Sequence, residues 1–286
     1  MIPEGFAGYL RRLGITPSGT PSAEELCALQ RAHLEHVPYD NVGIQLGRPP
    51  GIDPELSVRR FAAGEGGYCF HLNGAFAALL RALGYDVTMH VGGVHPDVDG
   101  RGANGNHMVL TVRVDDREWF VDVGLGDGPH EPLPLRAGTY EQGPFTYRLE
   151  PSVSEPGGWT FHHDRLSTFP VMEFRGEAAA LHDFATEHAR LSTAPDSPFV
   201  SAFVALRRDA RTVHLLRGRV LTRTDAAGST DRAVDTREEW FGLLEKDFGR
   251  SLDALDDTDR TALWERVSAA HEAWLRSREE GEAGRG

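Results

Sequence analysis

The apolar residues of this chain change period at Gly84. Before it, Cys69, Asn73, Phe76, Leu80 and Leu83 recur in steps of four and three, one stripe of an amphipathic helix that Gly84 is suited to end. After it, Val87, Met89 and Val91 alternate, then Met108, Leu110, Val112 and Val114, then Trp119 and Val121. Alternation of this kind marks strands with one buried face. Asp115-Asp116 separates the last two runs and reads as the turn of a hairpin. Further strand-like runs are Phe145 to Leu149, Trp159 to His163, Phe199 to Leu206 and Val213 to Thr222, and Gly128 to Gly143 reads as a Pro- and Gly-rich loop. Helical signals flank this block. Ser22 with Glu25 and Thr236 with Glu239 form capping boxes ahead of apolar runs. Further helices are expected over Pro54 to Ala63, near Ala178 to Arg190, and along Leu263, Val267, Ala270 and Trp274, with the last ten residues a frayed tail. Helices, then strands, then helices predict an α+β protein around a β-barrel or curled antiparallel sheet.

The 286 residues, 40% hydrophobic and 26% charged, are ordinary for a globular protein with a real core. A net charge of −13 argues against nucleic acid as a partner, because phosphate neutralisation needs a basic face. Lys246 is the only lysine among 30 basic residues, a bias that fits a GC-rich genome. Two cysteines make no disulfide framework. The longest apolar stretch, Ala75 to Leu83, is interrupted by Arg81, and no basic segment followed by an apolar one stands at the start. The expectation is a cytoplasmic protein with reduced thiols and no membrane partner.

Cys69 follows Gly66-Gly67-Tyr68 and begins the predicted helix. Glycines permit a tight turn and close approach of a ligand, the helix dipole favours a thiolate, and free N–H groups there suit an oxyanion. The residue alone fits a nucleophile or a buried core cysteine equally, and Cys27, inside an amphipathic helix, fits the core. The hairpin adds geometry. With a two-residue turn at 115–116, residues whose numbers sum to an odd value share a face, and 107 + 122 = 229. His107 and Asp122 therefore point the same way, opposite or diagonal to each other. A carboxylate so placed can orient an imidazole that takes a proton from Cys69.

Several segments resemble the arylamine N-acetyltransferase family, which includes related amide synthases. Gly66-Gly67-Tyr68-Cys69-Phe70 with Leu72-Asn73-Gly74 resembles its nucleophile segment, Asn106-His107-Met108-Val109-Leu110 its histidine strand, and Phe120 to Gly126 its aspartate strand. Val37-Pro38-Tyr39-Asp40-Asn41 and Ser197-Pro198-Phe199 are similar to further family stretches, so the likeness runs from about Tyr9 to Phe199. It implies a helical bundle over 1–84, an antiparallel β-barrel over 85–200 and an α/β lid over 201–286. It also implies a Cys69-His107-Asp122 triad and ping-pong transfer of an acyl group from acetyl-CoA to a small amine. Substrate contacts would come from Tyr39, Tyr68, Phe70, Leu125 and Gly126. Neither a metal nor a tightly bound cofactor is expected.

The chain departs from the family pattern at Glu65, where arginine is usual, and at His71, where glutamate is usual. Asp40 and Glu65 cannot form the expected ion pair, and two carboxylates repel unless a proton or a cation intervenes; His71 is one candidate cation. His188 and Ala194 also depart. Besides an acetyltransferase, the residues allow an amide synthase that draws a longer acyl chain from a carrier protein or thioester. They also allow a cysteine hydrolase or transglutaminase-like enzyme, or a binding protein that keeps the pocket. His162-His163 has no further ligand at zinc-site spacing. Arg207, Arg208, Arg217 and Arg219 are candidate contacts for CoA phosphates, or solvated strand residues.

Overall fold

The computed structural model describes residues 4–283. Helices α1 (Ala7–Leu13), α2 (Ala23–His36), α3 (Val42–Gln45), α4 (Pro54–Ala62) and α5 (Cys69–Ala82) form the first part, with the two-residue strand β1 (Tyr39–Asp40) between α2 and α3. The Ser22 hydroxyl caps α2 by accepting from Glu25 N–H at 3.2 Å, and Gly84 takes φ +92° after α5, as the sequence predicts.

Eight antiparallel strands follow as one curled sheet. They are β2 (Asp86–His95), β3 (His107–Val114), β4 (Arg117–Val121), β5 (Leu133–Pro134), β6 (Gly138–Gln142), β7 (Phe145–Pro151), β8 (Trp159–His162) and β9 (Val171–Phe174). Their order, β5-β4-β3-β2-β9-β8-β7-β6, leaves β5 and β6 as the edges. Those edges are consecutive in sequence, and Tyr140 of β6 donates its hydroxyl hydrogen to the Pro134 carbonyl of β5 at 3.0 Å, so the sheet is a nearly closed barrel. The segment 128–143, read from its composition as a loop, therefore contributes both edge strands. Proline and glycine there suit edges, where unpaired backbone is tolerated.

Helices α6 (Ala185–Thr193) and α7 (Pro198–Ser201) lead into β10 (Val204–Arg208), β11 (Val213–Arg217), β12 (Val220–Asp225) and β13 (Gly228–Ala233), then α8 (Arg237–Lys246) and α9 (Asp257–Ala283). Three expectations fail here. The apolar run 199–206 is split, because Ser197 caps a helix turn with Pro198 at its start before the strand begins. The run 213–222 is a hairpin, turned at Gly218 with φ +57°. The expected frayed tail is helical to Ala283, and residues 284–286 lie outside the described residues.

The second sheet has the order β1-β10-β11-β12-β13. Its first strand comes from the helical part: Tyr39 pairs with Leu206 and Asp40 with Ala205. One face, with Ala205 and Leu216, packs on Trp240, Leu244, Leu263 and Val267 of α8 and α9. The helical part and the barrel share one continuous core, in which Phe76, Leu79 and Leu80 of α5 join Met108, Leu110 and Phe120. One stripe of an α-helix and alternate residues of the strands thus bury a common apolar surface, and α5 lies against β2 and β3.

Asp115 and Asp116 take φ +52° and +55° in the β3–β4 turn, the paired left-handed conformation that two-residue hairpins favour. A β-branched side chain resists that conformation. Asp116→Val is expected to lower stability by about 1–2 kcal/mol, read as a reduced denaturant midpoint with an unchanged slope; an unchanged midpoint would contradict the turn.

Candidate active site

Cys69 is the first residue of α5, and its position follows from two glycines. A Cβ on Gly66 would stand 2.2 Å from Asp40 Oδ2, and one on Gly67 would stand 2.7 Å from His71 Cβ. Only glycine lets the chain turn that tightly against β1. His71 then stabilises the helix start. Its Nδ1 accepts the Tyr68 N–H at 3.3 Å, the half of a capping box that glutamate supplies elsewhere, while Nε2 meets the Pro50 carbonyl at 3.2 Å. Burial, with the nearby Arg60 charge, pushes the His71 imidazole down to about 3. His71 is therefore neutral and is not the cation between Asp40 and Glu65. Arg250 of the lid and Arg60 of α4 supply that charge instead.

β3 carries His107 into the cleft, and Asp122 follows β4. Leu110 pairs with Val121, which sets His107 diagonal to Asp122 on one face, in line with the odd-sum argument. His107 Nε2 lies 2.7 Å from Asp122 Oδ2. That leaves Nδ1 on the side of Cys69, whose charge and thiol act on the imidazole, while the thiol itself donates to the Asn106 carbonyl at 3.7 Å. Cys69, His107 and Asp122 are 3%, 2% and 1% exposed, so they interact away from bulk water. Burial alone would lower the His107 value, but the charge and hydrogen bond of Asp122, then Cys69, raise it to about 10. An imidazole with that proton affinity is a capable base toward the thiol.

Asn73 is the residue that sequence reading left without a role. Its Nδ2 donates to Asp122 Oδ1 at 2.9 Å and to the Met108 carbonyl at 2.6 Å, and its Oδ1 accepts the Val123 N–H at 2.9 Å. It stands one helical turn after Cys69 on an otherwise apolar stripe, and a lone amide in that place is the signal that could have found it. Gly124 donates its N–H to Asp122 Oδ1 at 2.8 Å. A side chain there would meet Asn73 Nδ2 at 2.7 Å and the Cys69 Cα at 3.0 Å.

Cys69 and His107 open onto a cleft of about 410 Å³ between barrel and lid. Tyr39 and Leu125 line it, together with Phe169, Phe199, Leu215 and Arg217. The other three expected substrate contacts are not on its wall. Tyr68 and Phe70 are buried among Phe184, Phe199 and His188, with the Tyr68 hydroxyl 2.6 Å from His188 Nδ1, and Gly126 backs onto Tyr39 and Leu206. Asn41 fixes the Phe199 segment by donating to the Phe199 and Ala202 carbonyls, both at 2.8 Å. Asp127 fixes the opposite wall: it accepts the Thr168 N–H at 2.8 Å and meets His163 Nε2 at 3.2 Å. Burial opposes its charge, but His163 and Thr168 hold its carboxyl below the usual range.

The candidate arginines separate clearly. Arg208 is buried over the Phe145 ring and donates to the Tyr147 hydroxyl at 2.7 Å. Arg207 donates to the Asp247 carbonyl at 2.8 Å, and Arg219 lies over Trp264. Arg217 alone of the four faces the cleft; it is exposed and pairs with no carboxylate among the described residues. His162 pairs with Glu150, and no group of three or more metal-binding side chains exists among the described residues. Cys27 is half-buried, and burial, then the Glu131 charge, pushes its thiol up.

A profile described as N-acetyltransferase matches residues 22–257. Over 162 residues the chain is 35% identical to the arylamine N-acetyltransferase / N-hydroxyarylamine O-acetyltransferase of Salmonella typhimurium, covering 54% of this chain and 57% of that protein. Over 147 residues it is 34% identical to the proansamycin X synthase of Amycolatopsis mediterranei, covering 49% of this chain and 56% of that protein. Each match spans little more than half of the relative's length. A solved structure of the Mycobacterium marinum arylamine N-acetyltransferase in complex with CoA superimposes with a TM-score of 0.82 at 25% identity, covering 93% of this chain and 99% of that one. No helix among the described residues is long and apolar enough to cross a membrane.

Removal of the Asn73 amide would leave Asp122 Oδ1 with one donor and the Val123 N–H with none. Asn73→Ala is expected to cost about 1–3 kcal/mol in equilibrium unfolding; a loss well under that range would show that Asn73 does not hold the carboxylate.

Proposed function

The chain belongs to the arylamine N-acetyltransferase family, and from that premise we propose that it is a cytoplasmic enzyme moving an acetyl group from acetyl-CoA through Cys69 to an arylamine or hydrazine. The buried Cys69-His107-Asp122 line on the wall of an apolar cleft is the observation that carries this reading. The CoA complex of the Mycobacterium marinum relative supports CoA as the donor. CoA is a co-substrate here, and no tightly held cofactor is required.

His107 takes the thiol proton of Cys69, and the thiolate attacks the thioester carbonyl. The N–H groups of Cys69 and Phe70, at the positive end of α5, find no acceptor among the described residues and are suited to the oxyanion. The bond from carbonyl carbon to CoA sulfur breaks, and CoA leaves with the proton from His107. An amine then attacks the Cys69 thioester, gives its proton to His107, and departs as the amide while the Cys69 thiolate is released. Asp122 stabilises the imidazolium in both halves and fixes which nitrogen faces the sulfur. Tyr39, Leu125, Phe169 and Phe199 offer the flat apolar surface that an aromatic amine needs.

A cleft of this volume exceeds what an acetyl group alone would fill. That, with the likeness to proansamycin X synthase, favours an amide synthase with a longer acyl donor as the second reading. A carrier protein would be the partner in that case.

Incubation with acetyl-CoA should add one acetyl group to Cys69, detected by peptide mass spectrometry, and Cys69→Ala should add none. An adduct from longer thioesters but not from acetyl-CoA would select the second reading. Asp122→Asn should lower kcat by orders of magnitude, and near-normal turnover would remove Asp122 from the mechanism. Arg217→Ala should raise KM for acetyl-CoA about three- to tenfold while leaving KM for a phosphate-free acetyl thioester unchanged. An equal rise for both donors would show that Arg217 does not meet the phosphates.

A further inference from the structure

Arg250 lies in the lid, 181 residues after Cys69, yet its guanidinium is 2% exposed and buried beneath the nucleophile turn. Nε stands 3.1 Å from Asp40 Oδ2, and Nη2 stands 3.3 Å from Glu65 Oε2. The Nε–Oδ2 approach is a close ion contact without hydrogen-bond alignment, so charge attraction alone answers that buried carboxylate oxygen. Arg60 shares Glu65 from the other side at 3.1 Å. The backbone around Arg250 is tied down as well. Arg250 N–H bonds the Leu244 carbonyl at 2.8 Å, Ser251 N–H bonds the Gly64 carbonyl at 2.9 Å, and Arg12 of α1 reaches the Gly249 carbonyl at 2.9 Å.

The two carboxylates that Arg250 joins bracket the glycines before Cys69. Glu65 precedes Gly66. Asp40 holds Gly67 through its own N–H, at 2.9 Å from the Gly67 carbonyl, and its Oδ1 accepts the Val42 N–H at 3.0 Å to start α3. Asp40 is also the last residue of β1, which carries Tyr39 into the cleft. One planar fork therefore fixes both ends of the turn that presents the thiol. A lysine, as a point charge, could satisfy only one of them.

We propose that Arg250 is a positioning residue for Cys69, through which docking of the lid sets the nucleophile turn in register with His107. It acts on the acyl-transfer reaction proposed above, and that is the only point at which it rests on that reading. Glu65, in the place of the arginine usual in the family, makes this lid-borne arginine necessary. A small displacement of the sulfur suffices for a large loss, because reacting groups must meet within a fraction of an ångström.

The test uses the whole chain and the rate of Cys69 carboxamidomethylation by iodoacetamide, which needs no acyl donor. It therefore reads thiol placement whether or not the acetyl-CoA reading holds. Arg250→Lys is expected to slow alkylation about tenfold and to lower kcat by a similar factor with KM little changed, at a temperature where circular dichroism shows it folded. Asp116→Val, a variant at the β3–β4 turn, should alkylate at the wild-type rate. The double variant Glu65→Arg, Arg250→Ala, which moves the guanidinium from lid to turn, should recover most of the rate that Arg250→Ala loses. The proposal is overturned if Arg250→Lys alkylates within twofold of both wild type and Asp116→Val, or if the double variant is no faster than Arg250→Ala.

Discussion

A single buried carboxylate sets the terms for the cleft. Asp122 has lost its water, and an ionised carboxylate in that condition is costly unless each oxygen is answered. Oδ2 faces His107, while Oδ1 takes hydrogens from Asn73 and Gly124. Those partners come from β3, α5 and the chain just after β4, so satisfying one charge forces the helix and the hairpin into a fixed relation. Asn73 tightens that relation, since the same amide group bonds the backbone at Met108 and Val123. The sulfur lies one turn earlier on the same helix face, and its distance from the imidazole follows from these bonds. Shared burial of Phe76, Leu79 and Leu80 with the strands supplies the apolar part of the same joint.

The parts of this arrangement that were legible in the sequence are local or periodic. The α5 stripe, both serine and threonine caps and the two-residue turn each depend on residues within a few positions of one another. The diagonal placement of His107 and Asp122 was legible for the same reason: one turn and a period of two determine a hairpin's faces. Pairing across long sequence separations was not. Tyr39-Asp40 is too short to show a strand period, and only its partner β10 makes it a strand. The run 199–206 is apolar but for Ser201, and 213–222 mixes apolar residues with His214, Arg217 and Arg219, so no strict period of two marked the helix turn at Pro198 or the break at Gly218. Tyr68 and Phe70 sit beside the nucleophile in sequence, but helix geometry turns them away from the cleft into an aromatic cluster.

Charge sorts in the same way. The chain is strongly acidic overall, yet among the described residues the cleft wall carries no carboxylate side chain, and Arg217 there is unopposed. Sequence could name four arginines there but not separate them, because strand position alone does not say what lies across a sheet. Arg208 shares β10 with cleft-lining Val204 and Leu206, and the barrel beneath it offers the Tyr147 hydroxyl and the Phe145 ring. Its role is to anchor the lid. Arg217, two strand positions after Leu215, reaches the open side of the same sheet face.

Glu65 shows how a change that looks unfavourable in sequence can be answered far away. Read beside Asp40, it predicts repulsion between two carboxylates with no local relief but His71. The folded chain leaves His71 neutral as a helix cap and brings cations from two separate places: Arg60 in α4 and Arg250 after α8. Local reasoning missed Arg60, five residues before Glu65, and could not reach Arg250, which is 185 residues away and has no motif of its own. The consequence is a change of dependence. An arginine at position 65 would tie the turn to its own domain, whereas Arg250 ties it to the lid. The wall that meets the substrates and the turn that presents the sulfur are then held by one set of contacts, so loosening the lid would disturb binding and nucleophile together.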